Sequence, residues 1–277
     1  MQKILITGAQ GTIGQAVSEL IKASGHRAIS WDRTQHDPLQ PDHYRPWIQA
    51  QQPDALIHLA LASSPSGQPD EGHRINVAWS LQLAEICADL TIPMIFSSTA
   101  MVYDASANGP YTPASPVNLH NDYGRDKHEA EVGTLLRHPT GVRVARLGWQ
   151  IDPTRPDGNQ MVAHAHREQQ AHGRVSASDQ WWPACSFLQD TAAALLGLLD
   201  QPPGLYLLDS NRGWDFVTLL QALKAAHGFN WQIAPNQDYR HDQRMIDGRI
   251  NMPSLAQHLP LLADRPIKPY APIPSRR

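Results

Sequence analysis

Cysteine and lysine are both scarce in this chain of 277 residues, and neither sign of charge is in excess. The two cysteines, Cys87 and Cys185, lie far apart in the sequence, which excludes a disulfide framework and a thiolate cluster and leaves both as packing groups. A formal net charge of -3 provides no basic field to attract nucleic acid or an anionic membrane surface, so neither is expected as a partner. No apolar run approaches the roughly 18 residues that a membrane span requires. The opening MQKILITGAQ has no secretory h-region, so the expected setting is reduced and cytoplasmic. His164 and His166 stand two apart, a spacing that does not align them on one helical face; they are expected to face solvent, and no metal is expected.

What is present suits an α/β protein. Residues 1–150 alternate short apolar runs with helical patterns, whereas the remainder carries more Pro, His and Trp. The expected organisation is therefore a dinucleotide-binding domain over 1–150 and a smaller substrate domain over 151–277, with 184–210 packing back on the first. The Pro-rich end, RPIKPYAPIPSRR, reads as an extended tail along the surface.

KILIT is a short apolar run, and after it Gly8, Gly11 and Gly14 punctuate the entry to a segment in which Ile13, Val17, Leu20 and Ile21 recur at helical spacing. Such a turn allows close backbone approach to a pyrophosphate, which then meets the helix N-terminus at Thr12 and Ile13. By chance this glycine spacing occurs in about one chain in ten, so its position directly after the first strand carries the weight. HRAISWD supplies a second strand ending at Asp32, placed for the adenosine ribose or for a turn cap. Arg33 follows and suits an adenine face or a 2′-phosphate, so NAD and NADP both remain open. DALIHLA and PMIFSST read as third and fourth strands, with NVAWSLQLAEICADL as the crossover helix. The order predicts a Rossmann-type, doubly wound parallel sheet with ligands beyond the strands' carboxyl ends, where Thr99 lies.

NDYGRDKHEAE places Tyr123 and Lys127 four apart, about 6 Å from each other on one helical face. A phenol can hand a proton to a carbonyl oxygen as hydride reaches the carbon, and an ammonium nearby is expected to lower its pKa from about 10. A hydroxyl at a strand end, Thr99, adds a second donor where negative charge develops. Glycine turn, strand-end hydroxyl and Tyr/Lys pair follow in the chain order that one reaction requires.

At these residues the sequence resembles the extended short-chain dehydrogenase/reductase superfamily. TGAQGTIG, FSSTAMVYD and YGRDK are similar to its cofactor turn, Ser/Thr segment and Tyr/Lys motif, and DQWWPACSFLQD, GLYLLDSNRGWDF and DGRINMPSLAQHL resemble segments of the dTDP-4-dehydrorhamnose reductase branch. The resemblance implies an NAD(P)H-dependent reductase of a nucleotide-sugar keto group, with Thr99, Tyr123 and Lys127 as the catalytic set. It also implies Asp37 near the adenine, Ala60 and Ala62 along the cofactor, and Trp149 beside the sugar; the sequence leaves the oligomeric state open, a homodimer included. The reductases usually carry an acidic residue directly after the threonine, whereas Ala100 and Met101 follow here, as in the epimerases. Dehydratase relatives need an Asp-Glu pair at those positions, which disfavours dehydration. The chain is shorter than typical epimerase relatives, so the reductase leads. An epimerase that retains NAD and a non-catalytic dinucleotide-binding protein are the alternatives.

In the second half, Trp181 and Trp182 suit either a ligand wall or a core cap. Arg155, Arg167, Arg174, Arg212, Arg240, Arg244 and Arg249 offer candidates for one or two diphosphate clamps. Asn76 reads as a cap or buried hydrogen-bonding group, outside the site.

Overall fold

A computed structural model describes residues 1–62, 70–103, 109–155 and 157–269. The chain divides into two compact units: 1–102, 119–147 and 188–206 form one, and 103–118, 148–187 and 207–277 the other.

The first unit is built as the apolar runs dictate. Strand β1 (Lys3–Thr7) leads through the glycine turn into α1 (Thr12–Ala23), then come β2 (Arg27–Ser30), α2 (Pro41–Gln51) and β3 (Ala55–His58). A helical turn α3 (Glu71–His73) and a π-helical turn (Arg74–Ala78) run into α4 (Trp79–Leu90), followed by β4 (Met94–Thr99), α5 (Asp122–Arg137) and β5 (Val142–Leu147). The sheet has six strands in the order β10-β5-β4-β3-β1-β2, where β10 is Gly204–Leu208. The pairs β1/β2, β1/β3, β3/β4 and β4/β5 are parallel. Strand order therefore reverses direction between β1 and β3, the switch point at which such sheets bind ligands. Strands β1, β3, β4 and β5 are buried on both faces, with Leu5, Leu56, Phe96 and Val144 packed with Trp79 and Leu83 of α4. Helix α7 (Leu188–Gly197) packs on α1.

The second unit has its own core around Met161, Phe216, Leu220, Trp231 and Leu259. Its helices are α6 (Met161–His172) and α8 (Phe216–His227), and its two-stranded pairings are β6 (Trp149–Ile151) with β9 (Cys185–Phe187), β7 (Val175–Ser178) with β11 (Ile233–Asn236), and β8 (Trp181–Trp182) with β12 (His241–Asp242). The segment before α5 belongs here: Gly109 and Tyr111 donate their N–H groups to the carbonyls of Asp242 and Arg244. A division at residue 150 does not separate that segment, because it is tied to strands more than a hundred residues later. Both cysteines are free and buried. Of the Pro-rich end, 270–277 lies outside the described residues; Lys268 is pinned by its N–H to the Gly213 carbonyl.

The two histidines expected to face solvent do not. His164 is half-buried against the Trp149 ring at 5.3 Å, and His166 accepts a hydrogen bond from Trp231 Nε1 at 3.1 Å. Their neighbours are aromatic, His164 tilted against Trp149 and His166 T-shaped to Phe229 and Trp231, so each ring is half-buried among other rings. Among the described residues no cluster of three or more potential ligands could hold a metal, and no helix is long and apolar enough to cross a membrane.

Candidate active site

Three turns at the carboxyl ends of β1, β3 and β4 make the site. After β1, Gly8 takes φ +69°, and a Cβ there would meet the Ala60 nitrogen at 2.8 Å. At Gly14 a side chain would strike the Gly8 carbonyl. Only glycine lets these backbones approach, and the cradle so formed opens on Thr12 and Ile13, whose N–H groups begin α1 without an acceptor inside the helix. No side chain caps that terminus. The residues present fit a pyrophosphate there.

Beneath the cradle lies a buried polar chain that the sequence did not announce. Thr7 Oγ1 accepts from the N–H groups of Leu59 and Ala60, and bonds His58 Nδ1 at 2.6 Å. His58 Nε2 meets Ser80 Oγ at 2.9 Å, and Ser80 donates to the Asn76 carbonyl. The Asn76 side chain then accepts from Ala62 N–H and donates to Asp126. Asn76 is thus a buried hydrogen-bonding group, at the centre of the π-helical turn. Burial holds the His58 pKa well below its usual value, keeping the ring neutral inside this chain.

Asp32 and Asp37 are engaged in local turns. Asp32 accepts from the hydroxyl and N–H of Thr34, which lower its pKa, and Asp37 accepts from Leu39 N–H. Each carboxylate still has lone pairs for a ribose hydroxyl or an amine. Arg33 beside them is exposed.

Thr99 ends β4, and its Oγ1 accepts from Met101 N–H at 3.1 Å. That bond uses a lone pair and leaves the Thr99 proton to be given to another oxygen. The carbonyl of Met101 accepts from Asn121 Nδ2, and Asn121 Oδ1 caps α5 by accepting from Gly124 N–H at 2.6 Å. Gly124 lies so close that a Cβ would sit 2.7 Å from the Met101 carbonyl oxygen. This contact brings the first turn of α5, with Tyr123, against the turn that follows Thr99. The signal was present as the glycine directly after Tyr123, but it becomes legible only once both turns are placed.

Tyr123 is half-buried, and burial pushes its phenol up to about 12. The expected lowering by Lys127 is therefore not found in the free protein. The reason is that Lys127 is itself 2% exposed, and burial pulls its ammonium down to about 7 against the opposing pull of Glu131 and Asp126. Near neutrality its charge is only partly present. Lys127 Nζ lies 4.2 Å from the centroid of the Phe96 ring on β4. One turn further along α5, Glu131 receives two bonds from Arg146 on β5, at 2.8 and 2.6 Å, and a third from His128. Burial raises the Glu131 pKa, but Arg146 and His128 bring it below the usual range. This buried fork fixes α5 to the sheet.

Trp149 belongs to the second unit, in a cluster with Trp181 at 5.8 Å, Phe216 and His164. Trp181 packs there as part of a core margin, whereas the Trp182 ring lies under Lys268 Nζ at 3.6 Å. Of the seven arginines, Arg244 is fully buried in a fork to Asp242 and is committed to the fold. Arg249 pairs with Asp247, and Arg212 donates to the Met252 carbonyl. Arg174 and Arg240 remain exposed beside surface pockets.

A switch-point glycine cradle with a Tyr/Lys helix beside the neighbouring strand end defines a dinucleotide-binding α/β fold. The chain belongs to the RmlD substrate binding domain family, which it matches over residues 1–202, and this bears out the resemblance drawn from its motifs. It is 27% identical over 203 residues to a dTDP-4-dehydrorhamnose reductase of Mycolicibacterium smegmatis, a match covering 72% of this chain and 61% of that protein. The chain thus matches less than two thirds of that relative's length. It is 30% identical over 159 residues to methionine adenosyltransferase 2 subunit beta of Rattus norvegicus, covering 53% and 46% of the two chains. The crystal structure of dTDP-4-dehydrorhamnose reductase from Bacillus anthracis in complex with NADP has the same fold, with TM-score 0.80 at 17% identity over 94% of this chain and 97% of that one.

Proposed function

We propose that the chain is an NAD(P)H-dependent reductase of the keto group of a nucleotide-activated sugar, of the 4-keto-6-deoxyhexose class. The observation that carries this reading is the close contact of Gly124 with the Met101 carbonyl, which joins the Thr99 turn to the start of the Tyr123 helix. The similarity to a dTDP-4-dehydrorhamnose reductase supports the substrate class, and the NADP held by a protein of the same fold supports the cofactor.

On this reading Gly8, Gly11 and Gly14 with the N–H groups of Thr12 and Ile13 hold the pyrophosphate, Asp32, Arg33 and Asp37 face the adenosine end, and Ala60 and Ala62 lie along the dinucleotide. When bound, the nicotinamide supplies the hydride. Tyr123, protonated at neutral pH because its phenol is pushed up to about 12, gives its proton to the carbonyl oxygen. Thr99 donates a second hydrogen bond to the same oxygen as charge develops there. Lys127 binds the nicotinamide ribose and, when charged, favours the phenolate left after transfer. Trp149 packs against the sugar, and Arg174 and Arg240 are the exposed arginines best suited to the diphosphate. Light scattering of the purified protein tests whether it forms a homodimer.

Steady oxidation of NADPH or NADH on addition of dTDP-4-keto-6-deoxyglucose or dTDP-4-dehydrorhamnose is the expected outcome. A redox-neutral epimerase, or a protein that only binds the dinucleotide, shows no such net consumption. Tyr123→Phe should lower kcat by orders of magnitude with cofactor affinity nearly unchanged; nearly full turnover would remove Tyr123 from its role.

A further inference from the structure

We propose that Met101 is a substrate-contacting residue that selects sugars bearing a methyl group at C6 over those bearing a hydroxymethyl group; this rests on the reductase reading above. Met101 is 45% exposed; Leu61, Val132 and Leu136 of the first unit are exposed too, and among these Met101 alone follows the Thr99 strand end. Its place is not accidental. The Thr99 hydroxyl holds its N–H, the Asn121 amide holds its carbonyl, and the Gly124 backbone closes on that same carbonyl. The backbone of Met101 is therefore fixed against both Thr99 and the first turn of α5, while its thioether is left in the open at the carboxyl end of β4. Its exposure alone is ordinary for a single apolar side chain; what sets it apart is a backbone held between Thr99 and the first turn of the Tyr123 helix at the ligand edge of a parallel sheet, which places the side chain to meet a ligand there.

The reaction narrows which surface that is. With the C4 carbonyl oxygen held by Thr99 and Tyr123, a side chain two residues beyond Thr99 meets the substituents on the carbons flanking C4. C3 carries a hydroxyl, and C5 carries the C6 carbon. Of these only a 6-deoxy C6 is apolar, and a thioether offers a soft, adaptable contact to a methyl group while giving a hydroxyl no hydrogen bond of useful strength. Ala100, buried at 3%, contributes no competing polar group.

The test compares kcat/KM for two substrates that differ only at C6, dTDP-4-keto-6-deoxyglucose and dTDP-4-ketoglucose, in the full-length protein and in Met101→Gln, Met101→Leu and Tyr123→Phe. Apolar pockets discriminate single groups by about 10- to 200-fold. The wild type should favour the 6-deoxy sugar by at least about tenfold. Met101→Gln, similar in length but polar, should erase most of that preference, chiefly through KM, whereas Met101→Leu retains it. Because the side chain is exposed, the melting temperature should stay within about 1–2 °C in both, which separates contact from misfolding. An unchanged ratio in Met101→Gln, with Tyr123→Phe still inactive, overturns the Met101 assignment and leaves the reductase reading standing. Failure of the wild type to reduce either sugar with either nicotinamide cofactor overturns both.

Discussion

At the scale of single residues, the Tyr123 and Lys127 pair was legible in the sequence because helical periodicity alone puts positions four apart on one face. Their ionisation was not, because desolvation depends on the neighbours that bury them. Lys127 is where this has consequences. Its pKa in the folded protein is about 7, against about 10.5 for an exposed lysine. Between those values the unfolded chain binds more protons than the folded one, so stability should rise with pH across this window; below about pH 7 both states carry the charge and the cost of burying it is felt in full. Lys127→Met should flatten that dependence, as read from urea unfolding at pH 6.5 and 9. On the proposed reading, the same titration in the free protein would remove the ammonium that holds the ribose. The cofactor kcat/KM is therefore expected to fall as pH rises above about 7, and an unchanged profile would contradict the assignment. Asp32 and Asp37 show the opposite limit: a local turn satisfies each carboxylate, a use that sequence allows but cannot rank against ligand binding.

At the scale of elements, the four opening strands, α1 and α4 followed from apolar runs and the glycine turn, whereas α2 was not foreseen. What sequence could not supply was the seating of α5 on the sheet. Two contacts set it. At Gly124, alanine would gain about 0.5–1 kcal/mol of intrinsic helix stability elsewhere in a helix, but here its Cβ would sit 2.7 Å from the Met101 carbonyl. Gly124→Ala is expected to lower kcat by about ten- to a hundredfold through misplacement of Tyr123, with circular dichroism nearly unchanged. At the other end of the helix, the Glu131 and Arg146 fork is almost wholly buried. Glu131→Gln leaves the guanidinium uncompensated and should cost about 3–5 kcal/mol in chemical denaturation, whereas replacing both residues by methionine should recover much of it. The partners lie fifteen positions apart on a helix and a strand, and neither residue type nor spacing identifies them before the fold is known.

For the whole molecule, composition showed a change of character near residue 150, yet the chain crosses between its units several times. The first unit is completed by α7, which covers α1, and by β10, which flanks β5 in the sheet. A fragment ending at residue 150 would lack both and expose a strand edge, so it should aggregate where the full chain stays soluble, as size-exclusion chromatography would show. A return of 184–210 to the first domain was expected from the sequence; which elements its helix and strand would meet was not, because α7 and β10 resemble any other helix and strand.

The excursion of 103–118 constrains how chains of this fold could exchange parts by recombination. Gly109 and Tyr111 are matched to the carbonyls of Asp242 and Arg244. A chimera made with one crossover near the middle of the gene would join one parent's stretch to the other parent's strand. A transplant of the second unit has to carry three separate pieces of chain together, 103–118, 148–187 and 207–277, so divergence of that unit is expected to proceed by point substitution within one lineage.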